Sequence, residues 1–375
     1  MADSGLYIHI PFCRKKCNYC DFYLITNTNI LDRFLKKLET EILLQSDKFK
    51  EYKFDTIFIG GGTPSLLTEK QIDNLLNCLN KYYNIDSESE ITIEANPEDF
   101  PNQNKLRTLK KIGINRISFG IQSFIDEELK FLTREHTAKQ AIEVIDKVKK
   151  YFDNISIDLI YSLPNQKKIN LEKTLGKTLE LEIPHISAYT LIFEKETPIY
   201  NLMDRKKIYK NDDKFESQLY LMFSDKLIKA GYEHYEVSNY AKKGYESKHN
   251  LKYWEYNNYL GFGPSAHSFF NGKRWNNFRN IIKYNINLQK NELAIENEHI
   301  LTPEESKTEF IMLGLRSKGV NLKRYSEIFR KDFLNKFSVS LNILIKEKLG
   351  IQKSDYFSLT EKGYLMVDEI CAKYF

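Results

Sequence analysis

The amino-acid sequence predicts an α/β fold: a partial (β/α)6 barrel followed by a small, mainly helical, winged-helix-like C-terminal domain. Two observations carry the first part. Apolar, β-branched runs alternate with segments of helical period, and the chemically pointed residues fall where those runs end. The runs lie at residues 6–10, 56–59, 91–94, 116–119, 155–160 and 185–191, with helical spacing at 30–44, 71–83, 139–151 and 170–181 between them. Such alternation demands a mostly parallel sheet with right-handed crossovers. Units ending near residue 195 fall short of the eight of a closed barrel, so the sheet is expected to stay open. A third observation carries the second part: from residue 302 the pattern changes to short helices at 308–316, 322–329 and 333–347, then a small hairpin and a last helix. The expected division is a barrel over 1–200, a segment covering it over 201–300, and the C-terminal domain over 301–375.

Composition sets the frame for these elements. A chain of 375 residues, 42% apolar and 13% aromatic, can bury a substantial core and is unlike segments that cannot fold. The balance of 56 basic against 51 acidic residues leaves +5, spread through Lys-rich helices and not gathered into a block, so nucleic acid is not an expected partner. No window reaches the roughly 18 apolar residues of a membrane span, and the opening Met1-Ala-Asp-Ser-Gly5 lacks the basic and apolar regions of a secretory leader. Five cysteines without a disulfide-like pattern point to a reducing compartment, with Cys78 and Cys371 as ordinary core thiols. The expected location is the cytoplasm, with peripheral contact at a membrane surface left open.

The first strand leads directly into chemistry. Cys13, Cys17 and Cys20 follow it with a C-x3-C-x2-C spacing. Three thiolates on one tight loop can hold three irons of a 4Fe-4S cube and leave the fourth open, whereas structural or electron-carrying cubes normally take four cysteines. Zinc is the alternative, since three cysteines with a histidine make a common site and His9 lies nearby. The second strand runs into Gly60, Gly61, Gly62 and Thr63, a loop that permits close backbone approach to a ligand, or else a turn needing positive φ. Its carbonyls suit an ammonium group, while Thr63 and the following amides suit a carboxylate. Glu94 ends the third strand, Gln122 follows the fourth, Arg134 comes after it, and Asp158 lies in the fifth. Strand-end carboxylates can simply pair with basic side chains at a barrel mouth. Two acids, an amide and an arginine at successive strand ends are more economically explained by recognition of a ribose and an amino acid.

Five stretches make a family resemblance specific: Tyr7 to Cys13, Thr56 to Ser65, Glu94 to Pro97, Asn115 to Phe124, and Asp158 to Pro164. They resemble the oxygen-independent coproporphyrinogen III oxidase group of radical-SAM proteins, over essentially the whole chain. Within that group the chain is most similar to the HemW branch of heme chaperones, through Glu236 to Ala241, His249 to Trp254, and Tyr259 to His267. The resemblance implies that Cys13, Cys17 and Cys20 hold the cluster. It implies that Tyr7, Gly61, Gly62, Thr63, Glu94, Gln122, Arg134 and Asp158 contact S-adenosyl-L-methionine (SAM), which an open iron can bind and cleave to a 5'-deoxyadenosyl radical. Two departures are specific. Ser162 and Asn165 stand where relatives often have glycine, and Phe22 stands where the oxidases carry a further cysteine.

The segment after residue 200 offers a helix at 214–230 and three histidines, His234, His249 and His267, each of which reads first as a hydrogen-bonded core or loop residue. His249, with Tyr253 and Trp254 close behind, also fits the axial nitrogen and flat walls that a porphyrin needs. The resemblance therefore implies a heme carrier that passes heme to an acceptor protein. The alternative is a radical enzyme decarboxylating coproporphyrinogen III to protoporphyrinogen IX, and Phe22 speaks against it. No residue is assigned a catalytic role.

Overall fold

The first six strands show apolar side chains on one face and a mostly polar set on the other, and that alternation builds an open twelve-stranded sheet in this computed structural model. The structure describes residues 3–100 and 103–375; Met1 and Ala2, part of the stretch read above for a leader, lie outside them. Strands β1 (Ser4–Ile10), β2 (Lys53–Gly61), β3 (Asn84–Ala95), β4 (Arg116–Gln122), β5 (Asn154–Tyr161) and β6 (His185–Thr190) run parallel in that order. Leu6, Ile8, Ile57, Ile59, Ile93, Ile117, Ile157 and Ile186 are buried in the main core. Their neighbours, Tyr7, Phe58, Glu94, Arg116, Ser118, Asp158 and Ser187, line a cavity on the inner face. With period 2, one strand thus serves both a dry exterior and a polar lumen.

The expected strands are all present, most of them longer than the apolar runs that announced them. The largest extension is in β3, which begins at Asn84, pairs Asn84 with Lys53 and sets Lys53 in an ion pair with Asp86. Charged residues at alternate positions hide this half of the strand from a reading based on apolar runs. Helix Glu69–Tyr82 opens on Thr68 and helix Ala138–Val148 on Thr137, each with a reciprocal capping box to a glutamine three residues on.

The segment expected to cover the barrel instead extends its sheet from both ends. Strands β7 (Glu233–Glu236) and β8 (Asn239–Ala241) add to β6 antiparallel, while β9 (Tyr259–Phe262) adds parallel to β1. Strands β10 (His267–Phe270), β11 (Lys273–Asn277) and β12 (Ile295–Ile300) continue outward from β9. Between the two additions, helix Lys248–Trp254 packs against β1 and β2. The C-terminal part has helices Pro303–Leu315, Leu322–Phe329 and Ser338–Lys346 around a sheet of β13 (Val320–Asn321), β15 (Tyr356–Leu359) and β14 (Gly350–Lys353) in that order. Helices followed by a β14–β15 hairpin match the winged-helix-like expectation. Among the described residues no helix is long and apolar enough to cross a membrane.

One buried carboxylate ties helix Leu31–Phe49 to the outward extension. Glu41 accepts hydrogen bonds from Gly263 N (2.8 Å), Asn277 Nδ2 (2.5 Å) and Tyr284 OH (2.6 Å). Burial pushes its carboxyl from 4.5 up to about 7, against the pull of those donors. Glu41→Ala strands three buried donors and is expected to cost about 3 kcal/mol in urea unfolding. The folded state holds the proton more tightly than the unfolded one, so Glu41's contribution is complete below about pH 4.5 and declines as pH rises toward 7. Glu41→Gln should therefore flatten the fall in stability across that window.

Candidate functional site

The cysteine loop is held open by backbone pairing and aimed by contacts at both flanks. Cys13 N donates to Ile25 O at 3.0 Å and Ile25 N donates to Pro11 O at 2.6 Å, which pins the loop's two ends together. Its middle is anchored by Asn18, whose N donates to Thr133 Oγ1 at 3.0 Å and whose Nδ2 donates to Phe131 O at 2.6 Å. Arg14 pairs with Asp99, and Arg279 donates to Asp21 O. In consequence Cys13, Cys17 and Cys20 all face one cavity of about 160 Å³.

The other walls come from the ends of β2 to β5, where the sequence placed them. Gly61, Gly62, Thr63, Glu94, Gln122, Arg134 and Asp158 all line this cavity. Thr63 Oγ1 lies 3.1 Å from Cys13 Sγ. Arg134 reaches across with Nη1 donating to Cys17 Sγ at 3.5 Å, while Nη2 donates to Asn96 Oδ1 (2.6 Å) and Gly120 O (2.7 Å). Burial pushes the Cys13 thiol up to about 11, partly opposed by its Thr63 contact. A thiolate is therefore expected only when a metal displaces the proton. Among the described residues no three His, Cys, Asp or Glu side chains are grouped to hold a single metal ion. A cube spreads its three ligated irons over separate corners, and three soft thiolates on one loop are the donor set it takes.

Of the two sequence readings of the glycine loop, the turn needing positive φ is met at Gly61. Gly61 has φ +111°, and a Cβ there would lie 2.6 Å from the His9 ring; one on Gly62 would lie 2.6 Å from Phe12 O. Both glycines are thus required by the protein's own packing, although their main chain borders the cavity. The loop's own amides are engaged within the protein: Gly61 N with Glu94 Oε2 (2.9 Å), Gly62 N with Ile10 O (2.9 Å) and Thr63 N with Phe12 O (2.7 Å).

Glu94 and Asp158 are half-buried acids, close enough for the charge of Asp158 to act on Glu94. Burial, then the charge of Asp158, raises the Glu94 carboxyl to about 8. Burial raises Asp158 to about 6, against hydrogen bonding from Ser187 and the nearby Arg116. Gln122, at φ 71°, turns the end of β4 into the cavity. Ser162 and Asn165 take φ 61° and 60°, so the loop after β5 keeps the left-handed turns that glycine would make. Tyr7 lies elsewhere. Its hydroxyl shares a hydrogen bond with His9 Nδ1 at 2.9 Å, and its ring lines an inner cavity of about 170 Å³ that meets the cysteine cavity at Glu94, Ser118 and Asp158.

His249 is not presented as an axial ligand. Its Nδ1 shares a hydrogen bond with Thr56 Oγ1 (2.9 Å) and its Nε2 with Tyr253 OH (2.8 Å), and the residue is 1% exposed. Burial, then Lys252 and Arg116, lowers the imidazole to about 3, so it is neutral with both nitrogens taken. His234 pairs with Glu361 and stacks on Tyr240, as its structural reading expected. Sequence reasoning missed Asn96, which links Arg134 to Thr63 through Nδ2 donating to Thr63 Oγ1 at 3.3 Å. It also missed Arg116, although a charged residue opening an apolar strand, in phase with Ser118 and Gln122, was a readable signal.

Comparison with known proteins adds three findings. Residues 7–177 match the Radical SAM superfamily, and residues 301–366 match the HemN C-terminal domain. The heme chaperone HemW of Bacillus subtilis is 37% identical over 98% of both chains, and that of Lactococcus lactis is 34% identical over 99% of this chain and 97% of its own. The structure of coproporphyrinogen III oxidase (HemN) from Escherichia coli superposes with a TM-score of 0.84 at 23% identity, covering 99% of this chain and 89% of that one. That likeness shows the fold.

The glycine packing has a direct test. Gly61→Ala combines a left-handed backbone with a collision against His9, and is expected to lower stability by about 2 kcal/mol or more in thermal unfolding of the cluster-free protein. Adding His9→Ala should recover part of that loss.

Proposed function

The chain belongs to the HemW family of heme chaperones within the radical SAM superfamily, and we propose that it binds heme and hands it to an acceptor protein while carrying a 4Fe-4S cluster and SAM. The observation that carries the cofactor part is the single cavity onto which Cys13, Cys17 and Cys20 converge with Glu94, Gln122, Arg134 and Asp158. Cys13, Cys17 and Cys20 would hold three irons. When bound, the cluster supplies an open iron for the amino-acid end of SAM and a route for one electron to its sulfonium.

The protein's own residues do the binding and orienting. Arg134 places positive charge beside Cys17 and, through Asn96, braces Thr63 against Cys13. Asp158 and Glu94 offer carboxylate oxygens to ribose hydroxyls and an ammonium, and Gln122 adds an amide at the same mouth. Tyr7 supports this site from the inner cavity. Phe22, 65% exposed at the rim, stands where the oxidases carry a cysteine, which favours carriage over oxidation. Free thiols at all five cysteines fit a reducing cytoplasm.

Anaerobic reconstitution should load about four irons per chain with broad absorption near ~400 nm, and Cys17→Ser should abolish it. Stoichiometric zinc without iron uptake would refute the cluster. The protein should bind about one heme per chain and form no protoporphyrinogen IX from coproporphyrinogen III with SAM and a low-potential reductant. Because both His249 nitrogens are engaged, His249→Ala should leave the Soret band in place while lowering stability; a shifted band would mean that helix Lys248–Trp254 moves when heme binds.

A further inference from the structure

Arg116 is the first residue of β4 and points into the inner cavity, 2% exposed. Its Nε has no hydrogen-bond partner, and among the described residues no ion pair includes it. A buried guanidinium without a direct partner costs several kcal/mol unless nearby charge compensates it. The compensating groups are in the same cavity: Glu94 from β3 and Asp158 from β5 both line it and both feel the arginine's charge. These two acids also line the cysteine cavity above. One cation thus sits below the pair of carboxyls that the proposed SAM site uses.

We propose that Arg116 is a positioning residue for that site: its guanidinium is the internal counter-charge that sets the pH above which Glu94 and Asp158 ionise, and so the range over which SAM is bound. The inference rests on the SAM reading given above. Other charges that face these carboxyls are few. Arg134 faces Asp158 from the cysteine side. Tyr7 and Tyr253 face Glu94 from β1 and helix Lys248–Trp254, and burial raises both hydroxyls, so they stay neutral; Tyr189, 42% exposed, faces Asp158 from β6 as a further uncharged hydroxyl. His185 and His249 also face Arg116, and burial with its charge keeps both imidazoles uncharged. Glu236, behind Tyr189, is buried and raised to about 7 by that burial. Among the described residues that line the inner cavity, Arg116 is the one cation.

The sign follows directly. Removing a cation beside a half-buried acid raises the acid further, so Arg116→Met should shift the pH midpoint of SAM binding upward. A shift of about one unit corresponds to about tenfold weaker binding at a pH below both midpoints. The experiment is SAM affinity by calorimetry on the cluster-loaded full chain, from about pH 5.5 to 9, for wild type, Arg116→Met and Arg116→Lys. The expected result is an upward-shifted profile for Arg116→Met that converges on wild type at high pH, with Arg116→Lys restoring most of the wild-type midpoint. A profile that does not move, or an equal loss at every pH, would overturn the role. Should Arg116→Met fail to fold, Arg116→Met with Asp158→Asn removes both charges and should fold; failure of that pair as well would make Arg116 a packing residue and overturn the proposal. Absence of SAM binding by wild type at every pH would refute the SAM reading itself, a result distinct from wild-type binding with an unmoved variant profile.

Discussion

The structure depends on a constraint of the β-strand: side chains alternate, so a strand that feeds an apolar core on one face must show something else on the other. In this chain the other face is polar. Tyr7, Glu94, Arg116, Ser118, Asp158 and His185 turn inward from β1, β3, β4, β5 and β6 while isoleucines and leucines turn outward. A closed eight-stranded barrel fills its centre with branched apolar residues. A six-stranded arc with a polar lining cannot, so its interior must be satisfied by ligands, by water or by inserted polar side chains. Helix Lys248–Trp254 supplies part of that, with His249 bonded to Thr56 and its backbone N donating to Glu90. The rest of the space is left to the two cavities.

The same constraint explains what the sequence made legible. The six strands and the cysteine loop could be read because their signals are local: period-2 apolar runs, a three-cysteine spacing, glycines between a strand and a helix. Strand ends in parallel architectures gather on one side, so Glu94, Gln122 and Asp158 could be placed together before any coordinates. Distant pairings could not be read. Strands β8 and β9 are three and four residues long and lack a regular alternation, and each is defined by a partner far away in the chain. His249 looked available because Tyr253 and Trp254 follow it; its engagement by Thr56 and its burial arise only when the helix enters the barrel.

Glycines stayed open between two readings for a related reason. Their position beside a cavity suggested that a ligand needed the room, whereas the missing Cβ atoms of Gly61 and Gly62 would point at His9 and Phe12. The direction of an absent side chain is a property of φ and of the neighbouring strand, neither of which a run of glycines specifies. Ser162 and Asn165 show the converse, since they hold left-handed conformations without being glycine.

The C-terminal module shares the main hydrophobic core with the barrel and makes polar contacts with it on both sides of its gap. Next to β7 and β8, Val237 N donates to Arg316 O at 2.8 Å and His234 pairs with Glu361. Just ahead of β9, Arg324 Nη2 donates to Tyr256 O at 3.2 Å and Asn257 Oδ1 at 2.6 Å. The first contact lies beyond β6 and the second beside β1, the two ends of the parallel arc. An arc that cannot close by strand pairing is therefore closed by a clasp. At both patches the polar contacts are backed by aromatic packing, His234 against Tyr364 on one side and Tyr256 against Phe310 on the other, so the two ends of the arc are spanned by a packed module where a strand ladder is missing.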